Sequence, residues 1–157
     1  MRFVAAILAG LLLVAGLAVF LWTSQTVEQQ TVVEEPDTAE ADIEAIHALR
    51  EAWVAADIAS DLDGVMAVFT DDVVIMVAEV PTLIGKEAVR SWYPLGYGGE
   101  YEMSSDEVVV AGGWAFDQGT FTSDGEAGRY LGILQRQTDG SWKYARVMGI
   151  DDPPPEQ

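Results

Sequence analysis

The acidic side chains are the first place in this sequence to look for chemistry. Between residues 61 and 72, "DLDGVMAVFTDD" sets four aspartates around one short apolar run. A calcium loop of the EF-hand type needs oxygen ligands at its first, third and fifth positions, glycine at the sixth and glutamate at the twelfth. Counted from Asp61, the fifth position is Val65 and the sixth is Met66, while the glycine falls at the fourth as Gly64, so that geometry fails. Leu62, Val65, Met66 and Phe69 recur at helical spacing, which makes Asp61, Asp63, Asp71 and Asp72 punctuation at the two ends of a helix over 61–69. No other His, Cys or Asp set has metal-ligand spacing. Neither a metal nor a cofactor is expected.

One carboxylate carries the remaining acid–base possibility. In "DVVIMVAEV", residues two apart share a strand face, so Glu79 points the same way as Ile75 and Val77 if no bulge intervenes. A carboxylate held against that apolar wall has a raised pKa and can serve as a base near neutral pH. The competing reading puts Glu79 at a strand end next to Pro81, facing water, as charged residues usually do. His47, the only histidine, stands beside Ile46 with no serine, cysteine or second ligand near it, which marks a structural position. Trp92, Tyr93, Tyr97 and Trp114 can cap the mouth of a pocket and stack on a flat ligand, or pack as core and lid. "GYGG" lacks the following helix and lysine of a phosphate loop and reads as a turn.

The elements that must position these groups occupy only part of the 157 residues. From Phe3 to Trp22 the chain carries no charge and is long enough to cross a bilayer as a helix. Arg2 precedes it, so the positive-inside bias keeps that end cytoplasmic and places the rest on the outer, periplasmic or extracellular side. Phe20-Leu21-Trp22 offers no small-residue cleavage site, which favours an uncleaved anchor over 1–23; secretion after signal cleavage is the alternative. An acidic linker follows over 24–40, then a domain over 41–151 and a tail over 152–157.

With 26 acidic against 8 basic residues, the formal net charge is −18, which excludes nucleic acid as a partner and suits solubility in a salty exterior. The chain has no cysteine, hence neither a disulfide nor a lipid-bearing thiol. Ile43, Ile46, Leu49, Trp53 and Val54 predict one apolar face of a helix over 41–59, with Asp37 or Thr38 as its cap. A third helix begins near Lys86, after a short extended "TLI", and ends at Pro94. Everything beyond is strand by pattern, with Asp124-Gly125 and Asp139-Gly140 marking hairpins.

Three helices, a strand after the second, then consecutive antiparallel strands is an order that resembles the nuclear-transport-factor-2-like superfamily, and within it the SnoaL-like and related exported domains. The residues that carry the resemblance are "AWVAADIASDLDGVMAVFTDDVVI", "IGKEAVRSWY" and "GRYLGILQRQTDGSWKYARVMGI", in this order, and it covers about residues 41–151. It implies an α+β, cystatin-like roll: three helices packed on a curved antiparallel sheet that encloses a conical pocket. On the steroid-isomerase pattern of that superfamily, Trp53 stands where a tyrosine would donate to an oxyanion. The first-strand carboxylate falls at Val77, and the central-strand acid near Arg129 or Gly132. All three depart, so that mechanism is not expected.

The resemblance also implies a pocket lined by Trp53, Asp57, Phe69, Val77, Trp92, Tyr93, Tyr97, Trp114, Arg129 and Met148, with Glu79 as the candidate catalytic base. Three functions follow as expectations. The first is an anchored exported domain that binds a small, largely apolar molecule. The second is an isomerase, dehydratase, cyclase or hydrolase using Glu79. The third is a structural homodimerisation domain. A homodimer is expected to form through the outer sheet face, with Val108, Val110, Leu131 and Ile133 as its candidate surface.

Overall fold

Helix α1 runs over Pro36–Ile58 and buries a stripe at residues 42, 46, 50, 53 and 57, the spacing of one helical face. Only Ile46 and Trp53 on that stripe are apolar; Asp42, Arg50 and Asp57 are charged and buried with them. The apolar face expected from Ile43, Leu49 and Val54 is therefore rotated, and those three are half-buried at its flanks. Asp37 and Thr38 lie within the helix rather than capping it.

The computed structural model describes residues 36–78, 80–93, 100–123 and 125–153, all within one compact unit. The apolar segment 3–22 and the acidic linker lie outside the described residues apart from the linker's last few, which are helical. Among the described residues no helix is long and apolar enough to cross a membrane.

Helix α1 stops in a Schellman turn: Ser60 N–H donates to the Asp57 carbonyl and Asp61 N–H to that of Ala56, with Ser60 at φ 55°. The chain passes directly into helix α2, Leu62–Ala67, whose N-cap is Asp61, with Oδ1 accepting from Gly64 N–H at 3.0 Å. Of the four aspartates, then, Asp61 alone caps. Asp63 pairs with Arg90 at 2.7 Å, whereas Asp71 and Asp72 sit inside a strand and face Lys86 and Arg146 at 3.0 and 3.8 Å. Phe69, read as the last helical residue, opens that strand instead.

Strand β1 spans Phe69–Val77 and β2 spans Leu83–Ile84, followed by α3 over Lys86–Trp92. Four long strands complete the sheet: β3 Tyr101–Ala111, β4 Trp114–Ser123, β5 Glu126–Arg136 and β6 Trp142–Asp151. The order across the sheet is β2-β1-β6-β5-β4-β3, antiparallel except between β1 and β6. Positive φ at Gly112, Gly125 and Gly140 makes the three hairpin turns. One face of the sheet packs against α1, and alternation decides which side chains reach it. On β5 these are Gly128, Tyr130, Gly132 and Leu134; on β4, Ala115, Asp117, Gly119 and Phe121; on β6, Val147 and Gly149.

Candidate functional site

The inner face of the sheet is not filled along its whole length. Near the β4–β5 turn it holds a pocket of about 260 Å³. Ile75 and Val77 of β1, Met103 of β3, Phe121 of β4, Tyr130 of β5 and Val147 of β6 line its walls, with Trp53 of α1 and Trp92 and Tyr93 at the end of α3. Glu126 and Asp151, at the strand ends, supply the only charged side chains among its described lining residues. The volume falls just below the range of about 300–1,000 Å³ usual for drug-sized ligands, so the space suits a small molecule.

Its inner end is built by a chain of three residues. Trp53 Nε1 donates to the Tyr93 hydroxyl at 2.8 Å, and that hydroxyl in turn donates to Asp57 Oδ2. Trp53 is fixed edge-on between Phe69, at 4.9 Å between ring centres, and Tyr144, at 5.3 Å. Tyr93 caps the C-terminus of α3, its own N–H bonded to the Val89 carbonyl. Asp57 has no exposed surface, and its Oδ1 has no hydrogen-bond partner. Burial pushes its carboxyl above the ordinary carboxylate range, against the opposing pull of the Tyr93 hydrogen bond. Burial, followed by the bond to Asp57, likewise raises the Tyr93 phenol far beyond neutrality. The tyrosine proton is therefore committed to Asp57, while its oxygen accepts from Trp53.

A second buried carboxylate lies beneath the floor. Asp117 accepts from the hydroxyls of Ser105, Tyr130 and Tyr144 at 2.6, 3.0 and 2.9 Å, and from Arg50 Nη1 at 3.3 Å. Gly132 makes this possible, since a Cβ there would come within 2.5 Å of the Tyr144 ring and close its path to Asp117. Tyr130 belongs to both places: its side chain lines the pocket while its hydroxyl proton goes to Asp117.

The residues expected in the pocket divide by strand parity and depth. Trp53, Val77, Trp92 and Tyr93 line it, and Asp57 stands directly behind Tyr93. Phe69 is fully buried under Trp53, in the core and not in the pocket wall. Arg129 and Met148 alternate with Tyr130 and with Val147 and Gly149, so both project from the outer face, Arg129 toward Asp152 at 3.5 Å. Trp114, at the opposite end of β4 from the pocket, is 47% exposed on the outer side. Glu79 and Tyr97 lie outside the described residues, and β1 ends at Val77. Parity also separates the expected dimer surface. Val108 and Val110 pack inward against the core, past a register shift between Ser105 and Glu107, while Leu131 and Ile133 face outward beside Val109 and Met148.

Asp117 and Tyr130 were not among the expected residues, though strand parity carries a signal for Asp117. "WAFDQGTFTS" places Asp117 at the parity of Ala115 and Phe121, an acid where an apolar residue is expected, and Arg50 follows Ile46 by one helical turn. Among the described residues no three His, Cys, Asp or Glu side chains gather as a metal-binding group.

Known proteins give this geometry a family. The SnoaL-like domain matches residues 46–148. A ketosteroid isomerase-like protein from Erwinia carotovora atroseptica is 28% identical with a TM-score of 0.62, the match covering 72% of this chain and 98% of that one. An NTF2-like protein with a cystatin-like fold from Novosphingobium aromaticivorans superposes with a TM-score of 0.65 at 15% identity, over 80% of this chain and 92% of its own. A conserved protein from Planctomyces limnophilus gives 0.61 at 22% identity, over 73% and 99%. No curated protein matches. With the family match spanning most of the chain, and the helices and curved six-stranded sheet of a cystatin-like roll around its pocket, this protein belongs to the SnoaL-like domain family.

Proposed function

We propose that this protein binds a small, largely apolar molecule in the pocket between α1, α3 and the sheet. The observation that carries the reading is the cavity of about 260 Å³, walled mainly by Trp, Tyr, Phe, Ile, Val and Met side chains and left unfilled by them. A domain serving only as scaffold gains by filling such a space, since an internal void costs stability. The test is a thermal-shift screen of the protein against small aromatic and aliphatic compounds. A ligand at a hundredfold excess over its Kd stabilises by about 2.7 kcal/mol, which raises the melting temperature measurably. Stabilisation that persists in Val77→Trp, where the added ring occupies the cavity, counts against this pocket.

One observation favours a catalytic reading. Asp57 is buried without a cation, with a carboxyl pKa raised by that burial, and it is one hydrogen bond from a pocket-lining hydroxyl. Such a pair can relay a proton between the pocket and Asp57, a role that does not require Glu79. Turnover of a screened compound that survives Tyr93→Phe would remove it.

The setting is proposed with the function. The uncharged run from Phe3 to Trp22 anchors the domain on the outer side of the cytoplasmic membrane, and mass spectrometry of the membrane-extracted chain tests whether it is retained. Two copies associate through the outer sheet face, where Val109, Leu131, Met148 and Ile150 are 37% to 61% exposed. Light scattering reads the mass, and Leu131→Lys is expected to yield the monomer.

A further inference from the structure

Resting on the binding reading above, we propose that the pocket selects an organic cation: an apolar, aromatic-sized body carrying an amine or quaternary ammonium group at the mouth. The charged side chains among the described lining residues are both carboxylates, Glu126 and Asp151. Neither has a hydrogen-bond or ion-pair partner among the described residues, and no basic residue lines the site. Six of the seven described lysines and arginines are ion-paired elsewhere. Arg50 is tied to Asp117, Arg136 to Asp42, Lys86 to Asp71, Arg90 to Asp63, Arg129 to Asp152 and Arg146 to Asp72.

The uncharged polar groups at the inner end agree in sign with the rim. The hydroxyl protons of Tyr93 and Tyr130 are donated to Asp57 and Asp117, so neither is available to an oxyanion. Trp92, Tyr93 and Tyr101 add aromatic faces, the preferred neighbours of an ammonium ion. A carboxylate ligand would enter a site whose fixed charges oppose it and whose tyrosine protons are already committed. A neutral ligand leaves Glu126 and Asp151, both exposed, to water. An ammonium group answers both.

The experiment titrates the full-length protein calorimetrically with three probes of one shape: 2-naphthylmethylammonium, 2-naphthylmethanol and 2-naphthoate. The cation is expected to bind about 3- to 30-fold more tightly than the alcohol, as two partly exposed charge pairs allow, with the anion weakest. Raising ionic strength from ~0.02 M to ~0.5 M should shrink the difference. In the double variant Glu126→Gln/Asp151→Asn the cation should fall to the affinity of the alcohol while the alcohol is unchanged. Glu102→Gln/Glu107→Gln, which removes the same charge from the exposed outer side of β3, should leave the preference intact. Equal binding of cation and alcohol in the native protein overturns the proposal, as does a preference that survives loss of the rim acids or vanishes equally with the outer ones. If none of the three binds, the pocket reading itself fails and the cation preference with it.

Discussion

Two aspartates in this domain are shut from water, and the contrast between them separates what holds the fold from what is left open for a ligand. Asp117 is surrounded by three hydroxyl donors and the Arg50 guanidinium, so its charge is answered on every side. Asp57, seven residues along α1 from Arg50, receives one hydrogen bond, from Tyr93, and leaves Oδ1 without a partner. A buried carboxylate with a cation and a full set of donors is held rigidly in place. One without a cation is pushed toward its neutral form, and that tension is what a proton-transfer or ligand-linked group needs. The compensated acid lies under the floor and the uncompensated one behind the wall of the same pocket, joined to it through Tyr130 and Tyr93 respectively.

The sharpest way to break the comparison is to remove the compensation. Asp117→Asn leaves the Arg50 guanidinium buried without a counter-charge and sets an amide N–H₂ against hydroxyl donors. Breaking a buried pair on one side costs about 3–5 kcal/mol, and urea unfolding should show a loss of that size, the largest of any single change considered. Removing Arg50 as well, in Arg50→Met/Asp117→Asn, should recover part of it. A loss under about 1 kcal/mol for Asp117→Asn would mean the network is relaxed by water and is not the structural member of the pair.

The other half of the comparison is sharpened by pH. Asp57 has a folded pKa raised above the ordinary value of 3.8, so the native state binds its proton more tightly than the unfolded chain does. Its contribution is fully present below pH 3.8 and is lost as pH rises through the raised folded value. Asp42, held below the ordinary value chiefly by its hydrogen bonds from Arg136, acts in the opposite sense: its contribution is full above 3.8 and lost as pH falls through the lowered value. Asp57→Asn should therefore stabilise the domain at pH 7 by about 1 kcal/mol and flatten the decline above pH 3.8, while leaving acid unfolding unaltered. Unfolding free energies from pH 3 to 8 read both effects. A variant as pH-sensitive as the native protein above pH 4 would show that Asp57 is not the group behind that decline.

The sequence disclosed these regions unequally, for physical reasons. Hairpins, strands and three helices were legible because Gly125, Gly140 and alternating apolar residues encode local geometry. The family order followed from them. The buried face of α1 was misread because Asp42, Arg50 and Asp57 look like solvent-facing charges until their partners are known, and those partners stand 94, 67 and 36 residues away. No local pattern contains Arg136, Asp117 or Tyr93. Strand parity sorted Val77 into the pocket and Arg129 and Met148 out of it only once Tyr130 and Val147 fixed the inner face. The bulge in β3 likewise decided where Val108 and Val110 point. Long-range polar pairing was the unreadable part, and in this molecule it builds the candidate site.

The smallest expected effect tests the comparison from the outside, where burial is absent. Asp61 and Asp63 are neighbours in sequence and both exposed, yet they differ as Asp57 and Asp117 do, in what answers them. Asp61 closes the start of α2 through the Gly64 N–H and follows the turn that ends α1, so it fixes the junction on which Asp57 sits. Asp63 accepts directly from the Arg90 side chain at 2.7 Å on the exposed surface. Water replaces an exposed ion pair at little cost, but a six-residue helix has few other means of satisfying its first N–H groups. Asp61→Ala should cost about 1 kcal/mol and Asp63→Ala less than about 0.5 kcal/mol in the same urea titration. Adding a chelator to either variant or to the native protein should move neither midpoint. A chelator-sensitive midpoint, or equal losses for the two variants, would mean that these aspartates share a ligand and that position along the helix does not explain them.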